Sequence, residues 1–165
     1  MTSPMTPRAM AVAEGYGLDP DNPGPDHIGW PDLLDRLSRE RNWWVATVRP
    51  DGRPHVVPVW GLVRDGRPIF SSSPRARKAA NMAHNPNIVV HLESGDDVGI
   101  FEGRVTKIEV ADLPDGYAEG YSAKYDFEFD PTESTEDFGL YEVTITRAMA
   151  WNEAEFVDTV VVFDA

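Results

Sequence analysis

The sequence predicts a mainly β, α+β domain: a closed or partly closed antiparallel barrel carrying a few short helices. Runs rich in valine, isoleucine, threonine and aromatics recur at strand length. Turn signals such as Pro50-Asp51-Gly52 and Asp65-Gly66 separate them, and Asp-Gly favours hairpins because glycine accepts the positive φ of a tight turn. No Gly-x-Gly-x-x-Gly links a strand to a helix, which leaves a parallel dinucleotide-binding sheet unsupported. Six or more strands joined mainly by hairpins resolve their exposed edges by closing into a barrel.

The elements follow in order. Residues 1–27 hold five of the fourteen prolines, Pro4, Pro7, Pro20, Pro23 and Pro25, and lack apolar periodicity; they read as a mobile arm before a single domain over 28–165. From Trp30 the spacing of Leu33, Leu34 and Leu37 predicts an amphipathic helix, with Pro31 in its tolerant first turn. Strands are expected over 43–48, 55–63 and 68–72. Ser73-Pro74 opens a helix that Asn85-Pro86 ends, because the residue before a proline avoids the α region. A second strand pair spans 87–92 and 98–110, and Leu113, Tyr117 and Tyr121, four apart, predict a helix over 112–124. Six acids and no base between 126 and 137 read as a solvated loop or lid, and strand composition returns over 140–150 and 155–163.

Composition narrows the chemistry. The 165 residues suit one domain, and no apolar run reaches the ~20 residues needed to span a bilayer. Met1, Met5 and Arg8 are followed by no apolar stretch of signal-peptide length, so the expected compartment is the cytoplasm. With no cysteine there is no disulfide, thiolate metal site or cysteine nucleophile. A net charge of −13 disfavours nucleic acid and anionic membrane as partners, and makes any basic cluster more informative.

One such cluster exists. In Phe70-Ser71-Ser72-Ser73-Pro74-Arg75-Ala76-Arg77-Lys78, three hydroxyls and three of the fifteen basic residues surround the start of a helix. A helix start offers unpaired N–H groups and a partial positive charge, so hydroxyls and cations there suit a phosphate. A capping serine beside an ordinary solvated basic face is the plain alternative.

The order of elements resembles the pyridoxamine 5′-phosphate oxidase-like split barrels. The likeness rests on Trp44-Val45-Ala46-Thr47-Val48-Arg49-Pro50-Asp51-Gly52-Arg53-Pro54-His55-Val56-Val57-Pro58-Val59-Trp60, on Phe70-Ser71-Ser72 through Arg77-Lys78-Ala79-Ala80-Asn81-Met82, and on Asn85-Pro86-Asn87-Ile88-Val89-Val90. Pro58-Val59-Trp60 and the Arg77-Lys78 helix start resemble the branch that uses the deazaflavin coenzyme F420. The resemblance implies a six-stranded antiparallel split β-barrel, homodimeric, with the cofactor at the subunit interface. It implies that Ser72, Arg77 and Lys78 hold the cofactor phosphate, with Ser71 and Arg75 nearby, and that His55, Val57, Pro58, Val59 and Trp60 lie along the ring system. Two features depart from the family pattern: Ala76 stands where many relatives carry a hydroxyl, and the segment Phe156-Val157-Asp158-Thr159-Val160 lacks an arginine- and tryptophan-rich ending.

Other candidates are weaker. Trp43, Trp44, Trp60 and Trp151 could stack on a flat ring, Trp60 foremost and Trp151 next, although most tryptophans in a barrel are core or interface. His27, His55, His84 and His91 show no zinc spacing, so no metal site is expected. Tyr117, Tyr121 or solvent could supply a proton, and Arg49, Arg53, Arg64 and Arg67 could anchor an anionic cofactor tail. The expected function is an oxidoreductase in which bound F420 passes hydride to a small organic substrate; the alternatives are FMN in the same site, a non-catalytic flavin or haem carrier, or a plain interaction domain.

Overall fold

A computed structural model describes residues 5–11, 16–19, 21–130 and 138–165. The strands are β1 (Thr6–Arg8), β2 (Trp43–Val48), β3 (Pro54–Val59), β4 (Gly61–Arg64), β5 (Arg67–Ser72), β6 (Asn87–His91), β7 (Asp97–Ile108), β8 (Gly139–Asn152) and β9 (Val161–Asp164). The α-helices are α1 (Trp30–Arg39), α2 (Arg77–His84), α3 (Tyr117–Tyr125) and α4 (Phe156–Thr159). Every pairing is antiparallel, in the order β1-β9-β8-β7-β6-β2-β3, and the β4–β5 hairpin joins β8 through β5. This mainly antiparallel architecture with short helices is the expected split barrel. Among the described residues no helix is long and apolar enough to cross a membrane.

Period-two patterning positions the core. Trp43, Val45 and Thr47 of β2 point inward, while Trp44, Ala46 and Val48 point outward. The main core gathers Leu33, Leu37, Trp43, Val45, Phe70, Phe101, Val143 and Phe163. A second cluster packs Tyr117, Tyr121 and Tyr125 of α3 against Ile69 and Leu140. These tyrosines recur every four residues along one helix face, and their hydroxyls fasten it to the sheet: Tyr117 donates to the Ile69 carbonyl at 3.0 Å and Tyr125 to the Gly61 carbonyl at 2.8 Å.

The sheet has nine strands, two more than the runs read from the sequence. Thr6–Arg8 pairs with β9, and the Arg8 guanidinium bonds the Asp164 carboxylate. The run expected at 55–63 breaks at Trp60 into β3 and β4. The strand expected over 155–163 holds only from Val161 to Asp164. Before it, the Asn152 side chain accepts from the Ala154 N–H, and the Thr159 hydroxyl donates to the Glu155 carbonyl at 2.8 Å. Those local bonds favour a turn and a short helix over strand propensity.

β7 and β8 pair Glu102 with Arg147 but Gly103 with Ile145, leaving Thr146 as the extra residue of a bulge. A Cβ on Gly103 would lie 2.3 Å from the Thr144 carbonyl oxygen, a backbone atom that cannot rotate away. Gly103→Ala is therefore expected to destabilise the fold by about 2 kcal/mol or more, read as a lower urea midpoint. Gly95→Ala, with nothing within 4 Å of its Cβ, is the control; equal midpoints for the two variants would contradict the bulge packing.

Candidate functional site

β5 delivers the chain into a turn and then α2. The Arg75 N–H is bound by the Ser73 hydroxyl oxygen and the Ala76 N–H by the Ser73 carbonyl, so the helix starts at Arg77, later than Pro74. This puts Arg77 and Lys78 in the first turn, after an Ala76 cap that contributes no side-chain bond. Their backbone N–H groups are among those a helix start leaves without intrahelical partners.

The three serines do not converge. Ser71 and Ser72 alternate across β5: Ser71 shares a hydrogen bond with the Tyr121 hydroxyl at 2.8 Å, whereas Ser72 turns inward, 8% exposed, with its hydroxyl on the Ser73 carbonyl. Arg75 and Arg77 are exposed and Lys78 is half-buried.

β3 supplies the second wall. It is the terminal strand of the sheet path, paired with β2 alone. His55, Val57 and Val59 alternate inward from it, opposite Thr47, Val45 and Trp43, while Pro58 is exposed on the outer face. Burial pushes the His55 imidazole below its usual pKa, and the positive charges of Arg49, Lys78 and Arg77 push it further. Four basic groups from β3, the β2–β3 turn and the start of α2 therefore share one electrostatic neighbourhood. Within it the His55 Nδ1 and Arg49 Nε atoms are buried without hydrogen-bond partners. Burial also lowers the pKa of Lys78. An unpaired buried guanidinium N–H, a histidine nitrogen that can donate when protonated, and crowded cations are what an anion would satisfy, so these residues fit a phosphate.

Trp60 and Trp151 lie apart from this neighbourhood's polar groups. Trp60 stacks on Tyr125 with ring centres 4.5 Å apart and planes at 7°, and the Arg41 guanidinium lies 5.6 Å from its ring centre. Trp151 lies twelve residues along β8 from Gly139, the partner of Ser72, which is roughly 40 Å of extended strand. Its indole N–H donates to Glu153 at 2.9 Å and its ring meets Phe156 edge-on.

The proton and tail candidates divide sharply. Tyr117 and Tyr121 are buried and committed to Ile69 and Ser71, and burial pushes both phenols upward in pKa. Arg53 is held by Asp51, Arg64 bonds the Asp115 carbonyl, and Arg67 makes a two-pronged pair with Glu142 at 2.9 and 2.6 Å. Arg49 alone of that group flanks His55.

Two residues that the sequence reading gave no role join this site. Asn81 of α2, fully buried, donates from Nδ2 to the Thr47 hydroxyl at 2.9 Å, and Thr47 donates to the His55 carbonyl at 3.3 Å. Their signal was present: Asn81 is four residues after Arg77, and Thr47 falls on the inward parity of β2.

The outward side of the same sheet carries two rows across the strands. Pro58, Trp44, His91, Ile100 and Met149 form one; Val56, Ala46, Val89, Glu102 and Arg147 form the other. Val48 and Val56 are 37% and 47% exposed, and α1 and α2 send their core residues to the opposite face.

Solved structures share this architecture. A conserved hypothetical protein from Mycobacterium tuberculosis aligns with TM-score 0.63 at 20% identity, over 76% of this chain and 85% of its own. A structure named F420 reductase aligns with TM-score 0.56 at 24% identity, over 73% and 96%. A pyridoxamine 5′-phosphate oxidase-related, FMN binding protein from Nostoc punctiforme aligns with TM-score 0.55 at 17% identity, over 78% and 86%. No curated protein sequence matches the chain. The sequence profile described as pyridoxamine 5′-phosphate oxidase matches residues 31–152, from α1 to the end of β8. The chain belongs to the pyridoxamine 5′-phosphate oxidase family.

Proposed function

We propose that the protein is an oxidoreductase that binds coenzyme F420, with the cofactor phosphate held between the start of α2 and β3, and that it works as a homodimer. The observation that carries this reading is the meeting of Arg49, His55, Arg77 and Lys78, with two buried side-chain nitrogens unpaired, in a chain of net charge −13. FMN presents a phosphate to the same groups and is the second reading. The structures named F420 reductase and FMN binding protein, which share this fold, support keeping both.

When bound, the deazaflavin supplies hydride chemistry at its ring. The protein's own groups do the rest. Arg77 and Lys78 neutralise the phosphate, and the amides at the first turn of α2 add donors. The outer edge of β3 presents backbone N–H and C=O groups to a flat heterocycle, with Val57 and Val59 giving apolar contact. The phenols of Tyr117 and Tyr121 stay outside the proton path because α3 holds them against β5. Trp151 joins the site in this reading only from a second copy laid on the outward rows of the sheet.

Fluorescence titration of the purified protein with F420 and with FMN tests the proposal. Saturable quenching by F420 is expected; binding of FMN alone would replace the deazaflavin, and binding of neither would end the enzyme reading.

A pH dependence follows from the same cluster. A negative neighbour favours imidazolium, so a bound anion raises the His55 pKa and the complex holds more protons than the free protein. Affinity for sulfate, whose charge is constant across this range, should therefore rise as pH falls towards the usual imidazole value of 6.5 and below. Titration of the His55 ring by NMR, with and without sulfate, should show the midpoint moving up; an unmoved midpoint would separate His55 from the anion.

A further inference from the structure

We propose that Asn81 is a positioning residue for the phosphate site: through Thr47 it fixes the first turn of α2, with Arg77 and Lys78, to the β2–β3 ladder that carries His55. The inference rests on the phosphate reading above and deepens it by naming what sets the spacing between the two walls.

Asn81 is 0% exposed, and its neighbours Ala79 and Met82 on α2 are core residues. Asparagine is a weak helix former, and its desolvation is compensated only by hydrogen bonds. The compensation is incomplete: Nδ2 donates to the Thr47 hydroxyl at 2.9 Å, but Oδ1 is buried with no partner. Stability alone would favour an apolar pair at 81 and 47, since a half-satisfied buried polar group costs more than hydrocarbon of the same shape.

Direction is what the polar pair adds. Ala79 and Met82 contact the core without angular preference, and such contacts tolerate sliding of the helix. The bond from Asn81 to Thr47, continued from Thr47 to the His55 carbonyl at 3.3 Å, does not. Arg77 and Lys78 lie four and three residues before Asn81, on the helix face it defines. A shift of α2 along β2 would carry both cations away from His55, and the Asn81–Thr47 bond opposes that shift.

The test compares affinity for FMN with affinity for riboflavin, and F420 with the same deazaflavin lacking its phosphate. The FMN ratio isolates the phosphate contribution, and the F420 ratio reports the phosphate together with the tail it carries. Wild type is expected to prefer the phosphorylated form. Thr47→Val and Asn81→Leu should each lower that preference about five- to tenfold and leave binding of the phosphate-free ring unchanged; Asn81→Leu should keep or raise the melting temperature, whereas Thr47→Val, which also strands the Asn81 Nδ2, should lower it. Thr47→Ser, which retains the hydroxyl, should restore the preference. Should Asn81→Leu fail to fold, Thr47→Val, a near-isosteric change, decides alone. An undiminished preference in a folded Thr47→Val protein would overturn the positioning role while leaving the phosphate site standing. No preference in wild type would overturn the phosphate site itself, and the positioning role with it.

Discussion

Replacing Arg77 and Lys78 together by alanine is expected to weaken F420 or FMN binding by roughly 100- to 10,000-fold, because each forfeits a charge-assisted bond worth about 1.5–3 kcal/mol. Lys78→Ala alone should cost about 10- to 100-fold by the same measure. The loss should come without a loss of fold. Lys78 is half-buried, no ion pair or side-chain hydrogen bond holds its ammonium among the described residues, and its pKa is lowered by burial. A lysine whose folded pKa is depressed opposes folding while it is protonated, so its removal should leave the melting temperature unchanged or higher at neutral pH. Arg64→Ala is the matched control, since Arg64 is engaged by the Asp115 carbonyl and is not among the charges that act on His55. Isothermal titration of the variants decides: Lys78→Ala and Arg64→Ala binding alike would remove the phosphate from the start of α2.

Much of the framework was legible in the sequence because it follows local rules. The helix from Trp30 and the strand from Trp43 to Val48 stand where apolar spacing put them. The elements that differ are those governed by distant partners or by side chains bonding their own backbone. The β run breaks at Trp60, whose ring stacks on Tyr125 and whose successor Gly61 bonds the hydroxyl of that tyrosine, more than sixty residues away, and no local pattern encodes those contacts. Pro74 resembles a helix start, yet Ser73 bonds the next two free N–H groups and delays the helix to Arg77. The basic cluster was legible as composition, but its division was not. Alternation along β5 sends Ser71 to α3 and Ser72 inward, and only strand pairing brings Arg49 and His55 to the cations of α2. The spacing of Tyr117 and Tyr121 left them open as proton sources beside solvent, and only the docking of α3 on β5 commits their hydroxyls to Ile69 and Ser71.

Val56→Glu is expected to convert a dimer into monomers and to weaken cofactor binding with it. Val56 lies 47% exposed on the outward face, in the row with Ala46 and Val89, beside the row of Pro58, Trp44, His91 and Ile100. In an isolated chain a glutamate at such a position changes stability by about 0.5 kcal/mol or less. In a twofold dimer built on this face, two carboxylates leave water for a contact in whose row the one cation, Arg147, already stands across from Glu102, at a cost of several kcal/mol each. Association should then fall by roughly 1,000-fold or more. The link to binding is geometric: Trp151 lies twelve residues along β8 from the partner of Ser72, and in the proposed dimer it is the second copy that brings a Trp151 to the cofactor. Sedimentation of wild type, Val56→Glu and Ala111→Glu, the last in the turn Val110–Asp112, separates the cases. A dimeric Val56→Glu protein, or a monomeric wild type that binds cofactor at full strength, would show that the outward face serves some other purpose and that each subunit completes its own site.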